Sequence, residues 1–308
     1  MKTRAIGSLQ ASEVGVGCNN FGGRLDQHQT NEVVLAALDN GINFFDTADM
    51  YGDWQSEVML GYALGNRRSE AVIATKFGFT RDLSDFDGSA KRVKEACEDS
   101  LGRLGTDYID LYQYHFPAAN APIEETLGAM QELVAEGKVR EIGCSNFSAD
   151  QLRAAHAAAG SGPRFVSMQG QFSLLYRSPE TDGVLDVCRE LGISFLPYYP
   201  LANGLLTGKI RPGAPLPEGT RLSLMPPERA AHWTGESLMQ RVGALLEVAD
   251  EMERPLLTLA FSWLLDHPEV ASVIAGASNA TQIAANAASA ISLTPDQRAT
   301  LDRVSADA

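Results

Sequence analysis

Cysteine is scarce and scattered. The four thiols, Cys18, Cys97, Cys144 and Cys188, are spread over 308 residues and form no C-x-x-C pair. That argues against a zinc ribbon, a dithiol redox motif and a disulfide scaffold. Long apolar runs are missing as well: none approaches the ~18–20 residues that span a bilayer. The N-terminal MKTRAIGSLQ has two basic residues but no apolar segment behind them, so a secretory signal is not expected. Asn146-Phe-Ser and Asn279-Ala-Thr match the N-glycosylation pattern, a chance match in a chain without such a signal. Positive charge is in deficit, 25 Lys and Arg against 39 Asp and Glu, for a net charge of −14. Such a chain binds phosphate backbones and anionic lipid poorly. The expectation is a cytoplasmic protein with reduced thiols and with no nucleic-acid, membrane or metal partner. Its oligomeric state is open, with a monomer favoured.

What is present reads as a globular α/β chain. Apolar residues make up 44% and charged residues 21%, near the globular average. Short apolar runs alternate with amphipathic stretches. The runs are Val14–Cys18, Gly41–Asp46, Ala71–Lys76, Tyr108–His115, Val139–Cys144, Arg164–Gln169, Ile193–Tyr198 and Val270–Ala275. Helical patterns lie near 30–40, 55–65, 89–103, 123–136, 149–159, 181–191 and 238–265. Apolar strands between helices imply a parallel sheet covered on its outer faces. Eight such units predict a (β/α)8 TIM barrel occupying residues 1–308 as one domain, with an open doubly wound sheet as the competitor. Thr3–Ser12 reads as a short hairpin before the first barrel strand. Residues 207–237 are rich in Pro and Gly without clear periodicity, which suggests a functional loop or lid.

Two glycine motifs fail inspection. Gly15-Val-Gly-Cys-Asn-Asn20 lacks the third glycine of a dinucleotide fingerprint, and Gly204-Leu-Leu-Thr-Gly-Lys209 has the wrong spacing for a phosphate loop and ends in Ile210 rather than Ser or Thr.

Barrel enzymes carry their catalytic groups at the C-terminal strand ends. Those positions here hold Asp46, Lys76, His115, Asn146, Gln169 and Tyr198, with Tyr51 five residues beyond Asp46. Each alone reads as a structural residue; their convergence does not. Hydride addition to a carbonyl leaves charge on oxygen, which needs a proton. Tyr51 can donate it, a nearby Lys76 ammonium would lower its pKa, Asp46 would hold Lys76, and His115 would polarise the carbonyl.

These residues resemble the aldo-keto reductase family. The resemblance rests on Phe45-Asp-Thr-Ala-Asp-Met-Tyr-Gly52, Ala74-Thr-Lys76, Tyr112-Gln-Tyr-His115, Gly143-Cys-Ser-Asn-Phe147, Met168-Gln169, Tyr198-Tyr-Pro-Leu201 with Gly204–Gly208, and Ile274-Ala-Gly-Ala-Ser278. It implies an NAD(P)H-dependent, reversible carbonyl reductase with Tyr51 as proton donor and Lys76, Asp46 and His115 in support. It further implies Ser145, Asn146 and Gln169 on the carboxamide and Tyr198 stacked on the nicotinamide. Leu201, Gly204 and Leu206 would lie along the pyrophosphate, and Gly276, Ser278, Gln282 and Asn286 at the adenosine end. Gly276–Gln282 contains no basic residue; NADPH is favoured and NADH is the alternative. Phe21, Trp54 and Phe116, next to the catalytic positions, are candidates for an apolar substrate wall. The resemblance admits one other reading, a cofactor-binding regulatory subunit of the potassium-channel β type. No inactivation-like segment precedes the barrel to favour it. A Schiff-base lyase using Lys76 fits less well, since that chemistry needs an uncharged lysine.

Overall fold

A computed structural model describes residues 1–80 and 82–306. The hairpin is β1 (Thr3–Ile6) and β2 (Leu9–Ser12), turned at Gly7 with φ +58°. The barrel strands are β3 (Val14–Gly17), β4 (Phe44–Asp46), β5 (Val72–Phe77), β6 (Ile109–Tyr114), β7 (Val139–Ser145), β8 (Phe165–Gln171), β9 (Ser194–Tyr198) and β10 (Val273–Ala275). They pair in parallel in the order β10-β3-β4-β5-β6-β7-β8-β9. The ring is completed beside β10, where Phe195 N donates to Glu269 O at 2.7 Å and Ala271 N donates to Phe195 O at 3.1 Å. The eight parallel strands are those that the alternation predicts.

The helices are α1 (Gln27–Asp39), α2 (Gln55–Leu64), α3 (Ala90–Leu104), α4 (Ile123–Ala135), α5 (Ala149–Ala158), α6 (Ser178–Thr181), α7 (Val184–Leu191), α8 (Pro227–Trp233), α9 (Glu236–Glu251), α10 (Leu256–Leu265), α11 (Ala280–Ala287) and α12 (Pro295–Ser305). Local signals set their ends. Asp26 with Gln29, Ser148 with Gln151, and Thr294 with Gln297 form capping boxes. Gly105, in the left-handed region, stops α3. The periodicity over 238–265 predicts one helix, but the chain breaks between α9 and α10. Glu253 turns with φ +53°, and Pro255 cannot donate to a continuing helix. The segment 207–237 is not wholly irregular either, because α8 starts within it.

Two apolar clusters hold the barrel. The larger fills the space between strands and helices; the smaller joins Ile6, Leu9 and Ala11 of the hairpin to Phe44, Ala74, Leu111 and Leu196 inside the ring. Polar contacts pin the hairpin over the N-terminal end: Ser8 N donates to Glu141 Oε1 at 2.7 Å, and Ser194 Oγ donates to Ala5 O at 3.0 Å. Gly15 faces the interior because a Cβ there would lie 2.7 Å from the Phe44 ring.

Candidate active site

The chemistry-bearing residues gather at the opposite, C-terminal end. Asp46 ends β4, Lys76 lies in β5, His115 follows β6, Ser145 ends β7, Gln169 lies in β8 and Tyr198 ends β9. Tyr51 sits on the turn after β4, where its N–H donates to Ala48 O at 3.2 Å. Strand register brings Asp46 beside Ala74 and Lys76 beside Gln113.

Lys76 is fully buried. Its Nζ donates to Asp46 Oδ1 at 2.7 Å, Asp46 Oδ2 at 2.8 Å and Thr47 O at 2.7 Å. Three ammonium protons thus meet three acceptors. The same Nζ lies over the Tyr51 ring, 5.2 Å from its centroid. Loss of hydration, and then the Asp46 charge, push the Tyr51 phenol well above its ordinary value. This reverses the expected lowering by Lys76. The larger cause is burial; Asp46, which holds the lysine, adds a charge that opposes phenolate.

His115 is enclosed by rings. Phe116 stacks on it at 5.1 Å, Phe79 meets it edge-on at 5.4 Å and Tyr51 edge-on at 6.0 Å. Burial, then the Lys76 charge, hold its pKa well below the ordinary value, so the imidazole is neutral. Its buried Nδ1 has no hydrogen-bond partner among the described residues. An orphaned N–H is the rarer defect in proteins, which places the proton on Nε2.

A polar chain runs along the strand ends. Gln169 Nε2 donates to Asp46 Oδ1 at 2.9 Å, and Ser145 Oγ donates to Gln169 O at 3.0 Å. Asn146 Nδ2 donates to Ser145 Oγ at 3.0 Å and to His115 O at 3.1 Å, and Tyr198 Oη donates to Asn146 Oδ1 at 2.9 Å. Because a carboxylate only accepts, the Asp46 contact fixes the Gln169 amide with Oε1 turned away. Asn146 (φ +62°), Tyr199 (φ +51°), Ala202 (φ +45°) and Asn203 (φ +57°) all sit in the left-handed region. Such residues cluster at functional sites.

These groups border a cavity of ≈ 780 Å³. Asp46, Tyr51, His115, Ser145, Asn146, Gln169 and Tyr198 line it, as do Leu201, Gly204, Gly276, Ser278, Gln282, Asn286 and Phe116. Four expected residues do not, Lys76 among them, since it is fully buried. Leu206 is fully buried in the apolar core. Phe21 is turned inward, its N–H bonded to Cys18 O at 3.0 Å, and is fully buried too. Trp54 begins α2, and its ring lies under the Arg103 guanidinium at 5.4 Å. Met50, Phe79 and Tyr199 line the cavity instead, with Phe79 edge-on to Phe116 at 5.7 Å.

Sequence reasoning also misses the cavity's cations. Arg24, Lys209 and Arg221 line it. Arg24 Nη2 donates to Gly219 O at 3.3 Å, and the Arg221 guanidinium lies 5.4 Å from the Tyr199 ring centroid. Residues 207–221 thereby form one wall, tied across to the loop after β3. Lys209 was within reach of sequence reasoning, since it closes the rejected Gly204–Lys209 motif; Arg24 and Arg221 lie in stretches without periodicity.

A parallel barrel that gathers an acid, an amine, a phenol and an imidazole beside a deep cavity is built as enzyme barrels are. The chain belongs to the aldo/keto reductase family, whose model matches residues 13–306. It is 35% identical over 305 residues to an uncharacterized oxidoreductase of Bacillus subtilis, covering 96% of this chain and 94% of that protein. It is 34% identical over 275 residues to a probable voltage-gated potassium channel subunit beta of Arabidopsis thaliana, covering 86% and 83%. An aldo-keto reductase from Bacillus halodurans, solved in its holo form, superposes with a TM-score of 0.79 at 33% identity, covering 99% of this chain and 96% of that one. Together these support an oxidoreductase acting on small molecules.

Proposed function

We propose that this chain is an NAD(P)H-dependent reductase of aldehydes or ketones, reversible to alcohol oxidation, with Tyr51 as proton donor. The observation that carries the reading is that Tyr51, His115 and Asp46 line one cavity, with Lys76 buried and bonded to Asp46. A bound reduced nicotinamide supplies the hydride. The donor set suits such a ligand. Gln169 Oε1 and Ser145 are placed to meet a carboxamide, and the Tyr198 ring offers a stacking face. Arg24, Lys209 and Arg221 supply positive charge for phosphate, and the buried Asn203 Oδ1 has no partner among the described residues.

The chain's own part follows from its protonation states. Neutral His115 donates Nε2–H to the carbonyl oxygen and draws electron density toward it. Tyr51 keeps its proton at neutral pH, as an ordinary phenol does, and burial strengthens that hold. An alkoxide is a far stronger base than phenolate, so the proton passes from Tyr51 to the new oxygen anion downhill. Asp46 and Lys76 fix the floor beneath the ring. Phe79, Phe116, Met50 and Tyr199 exclude water around the reacting carbon.

NADPH is the cofactor proposed; initial rates with NADPH and NADH at equal concentration test this, and a large NADH preference overturns it. The reaction is tested by following nicotinamide absorbance with aromatic and aliphatic aldehydes. Tyr51→Phe is expected to lose about 10²–10⁴-fold in kcat while keeping cofactor affinity. Full activity in that variant removes Tyr51 as the donor. The names of two relatives favour a second reading, a potassium-channel β-type subunit. Tight cofactor binding with negligible turnover on every carbonyl tried would carry it.

A further inference from the structure

The loop carrying Tyr51 and the loop carrying Phe79 come from different strand ends, and one side chain from a third element joins them. Arg92 lies in the first turn of α3 and is almost fully buried. Its Nη2 donates to Asp49 Oδ2 at 2.7 Å, and its Nε donates to Phe79 O at 2.8 Å. Asp49 is two residues before Tyr51, and its own N–H is bonded to Lys76 O at 3.1 Å. Phe79 lines the cavity and packs edge-on against His115.

We propose that Arg92 is a positioning residue for the reduction, setting the Tyr51 turn and the Phe79 wall at a fixed separation. The inference rests on the reading of Tyr51 as donor and Phe79 as substrate wall. Neutralising a buried carboxylate needs one contact. The second, to a carbonyl on another loop, has no part in that. A guanidinium is planar, so its Nε and Nη2 protons point in directions fixed relative to each other. The two acceptors are therefore held in one geometry, which a flexible ammonium does not impose. Asp49 Oδ1 is buried with no partner among the described residues, and the side-chain hydrogen bond to this carboxylate comes from Arg92. A donor displaced by an ångström loses up to about a hundredfold in rate.

The test compares Arg92→Met and Arg92→Lys with wild type and Tyr51→Phe, using benzaldehyde, which reaches the aromatic wall, and propanal, which is too short to. Cofactor affinity is measured by nicotinamide fluorescence. In Arg92→Met, kcat should fall at least about tenfold for both aldehydes. KM should rise about fivefold for benzaldehyde only, with cofactor Kd unchanged. Arg92→Lys, able to serve one acceptor, should lie between. A folded Arg92→Met with wild-type kcat, or with equal KM changes for both aldehydes, overturns the proposal. So does an Arg92→Lys equal to wild type, which also decides the matter if the methionine variant does not fold. Full activity of Tyr51→Phe defeats the donor assignment separately.

Discussion

At the scale of single residues, two buried charges behave differently. Lys76 is matched, proton for acceptor, by Asp46 and Thr47. Lys76→Met leaves the Asp46 carboxylate with only Gln169 as donor among these groups, so a loss of about 3–5 kcal/mol is expected in urea unfolding. Adding Asp46→Asn should restore part of it. Asp49 is less well served. Burial outweighs the Arg92 charge and lifts its pKa from 3.8 to about 7. The folded chain then holds a proton that the unfolded chain has already released. Stability from this group is fully present in acid and is lost as pH rises from about 4 to about 7. Between about pH 5 and about pH 8, wild type should lose stability relative to Asp49→Asn. Denaturant midpoints at both pH values check this, and a constant difference would contradict it. The reversal at Tyr51 belongs to the same scale. Sequence places a lysine near a tyrosine; it does not say where the three ammonium protons go.

At the scale of elements, close approach decides. Gly61 of α2 faces α3, and a Cβ on it would sit 2.2 Å from Leu104 O. Alanine gains about 1 kcal/mol in helix propensity over glycine. Forcing a helix away from a backbone carbonyl costs about 1–3 kcal/mol. Gly61→Ala should therefore destabilise, as a lowered melting temperature will show. The 207–221 wall is the other element with a clear test. Arg24 holds it at Gly219, so Arg24→Ala should speed proteolytic cleavage there, and NADPH should slow it in wild type. Equal cleavage rates with and without cofactor would remove the lid role. Strands and most helices were legible because burial repeats along them and caps mark their ends. The break at Glu253–Pro255 lies within a run apolar enough to read as continuous. Phe21 and Trp54 sit on turns, where no period tells which way a side chain points.

At the scale of the molecule, charge is the constraint. A chain of net charge −14 repels a dinucleotide at a distance, while Arg24, Lys209 and Arg221 would attract one that enters the cavity they line. Salt screens both. Raising ionic strength should leave the cofactor association rate level or higher and should speed dissociation, as stopped-flow fluorescence can show. Lys209→Met should blunt the second effect. Composition shows the deficit of positive charge but not the three side chains that gather against it, because loops far apart in sequence bring them together.

The hairpin has a consequence for traffic. Ile6, Leu9 and Ala11 pack against Phe44, Ala74, Leu111 and Leu196 at the base of the barrel, so the ring is filled from below and the cavity lies at the other end, as a well does. Molecules in a well form a stack: what goes in deepest must enter first and leave last. If the cofactor's reactive ring lies on the floor formed by Asp46, Ser145 and Gln169, the carbonyl compound arrives on top of it and the alcohol departs before it. A filled base, to which the small β-ribbon contributes, would then set the order of events at the rim.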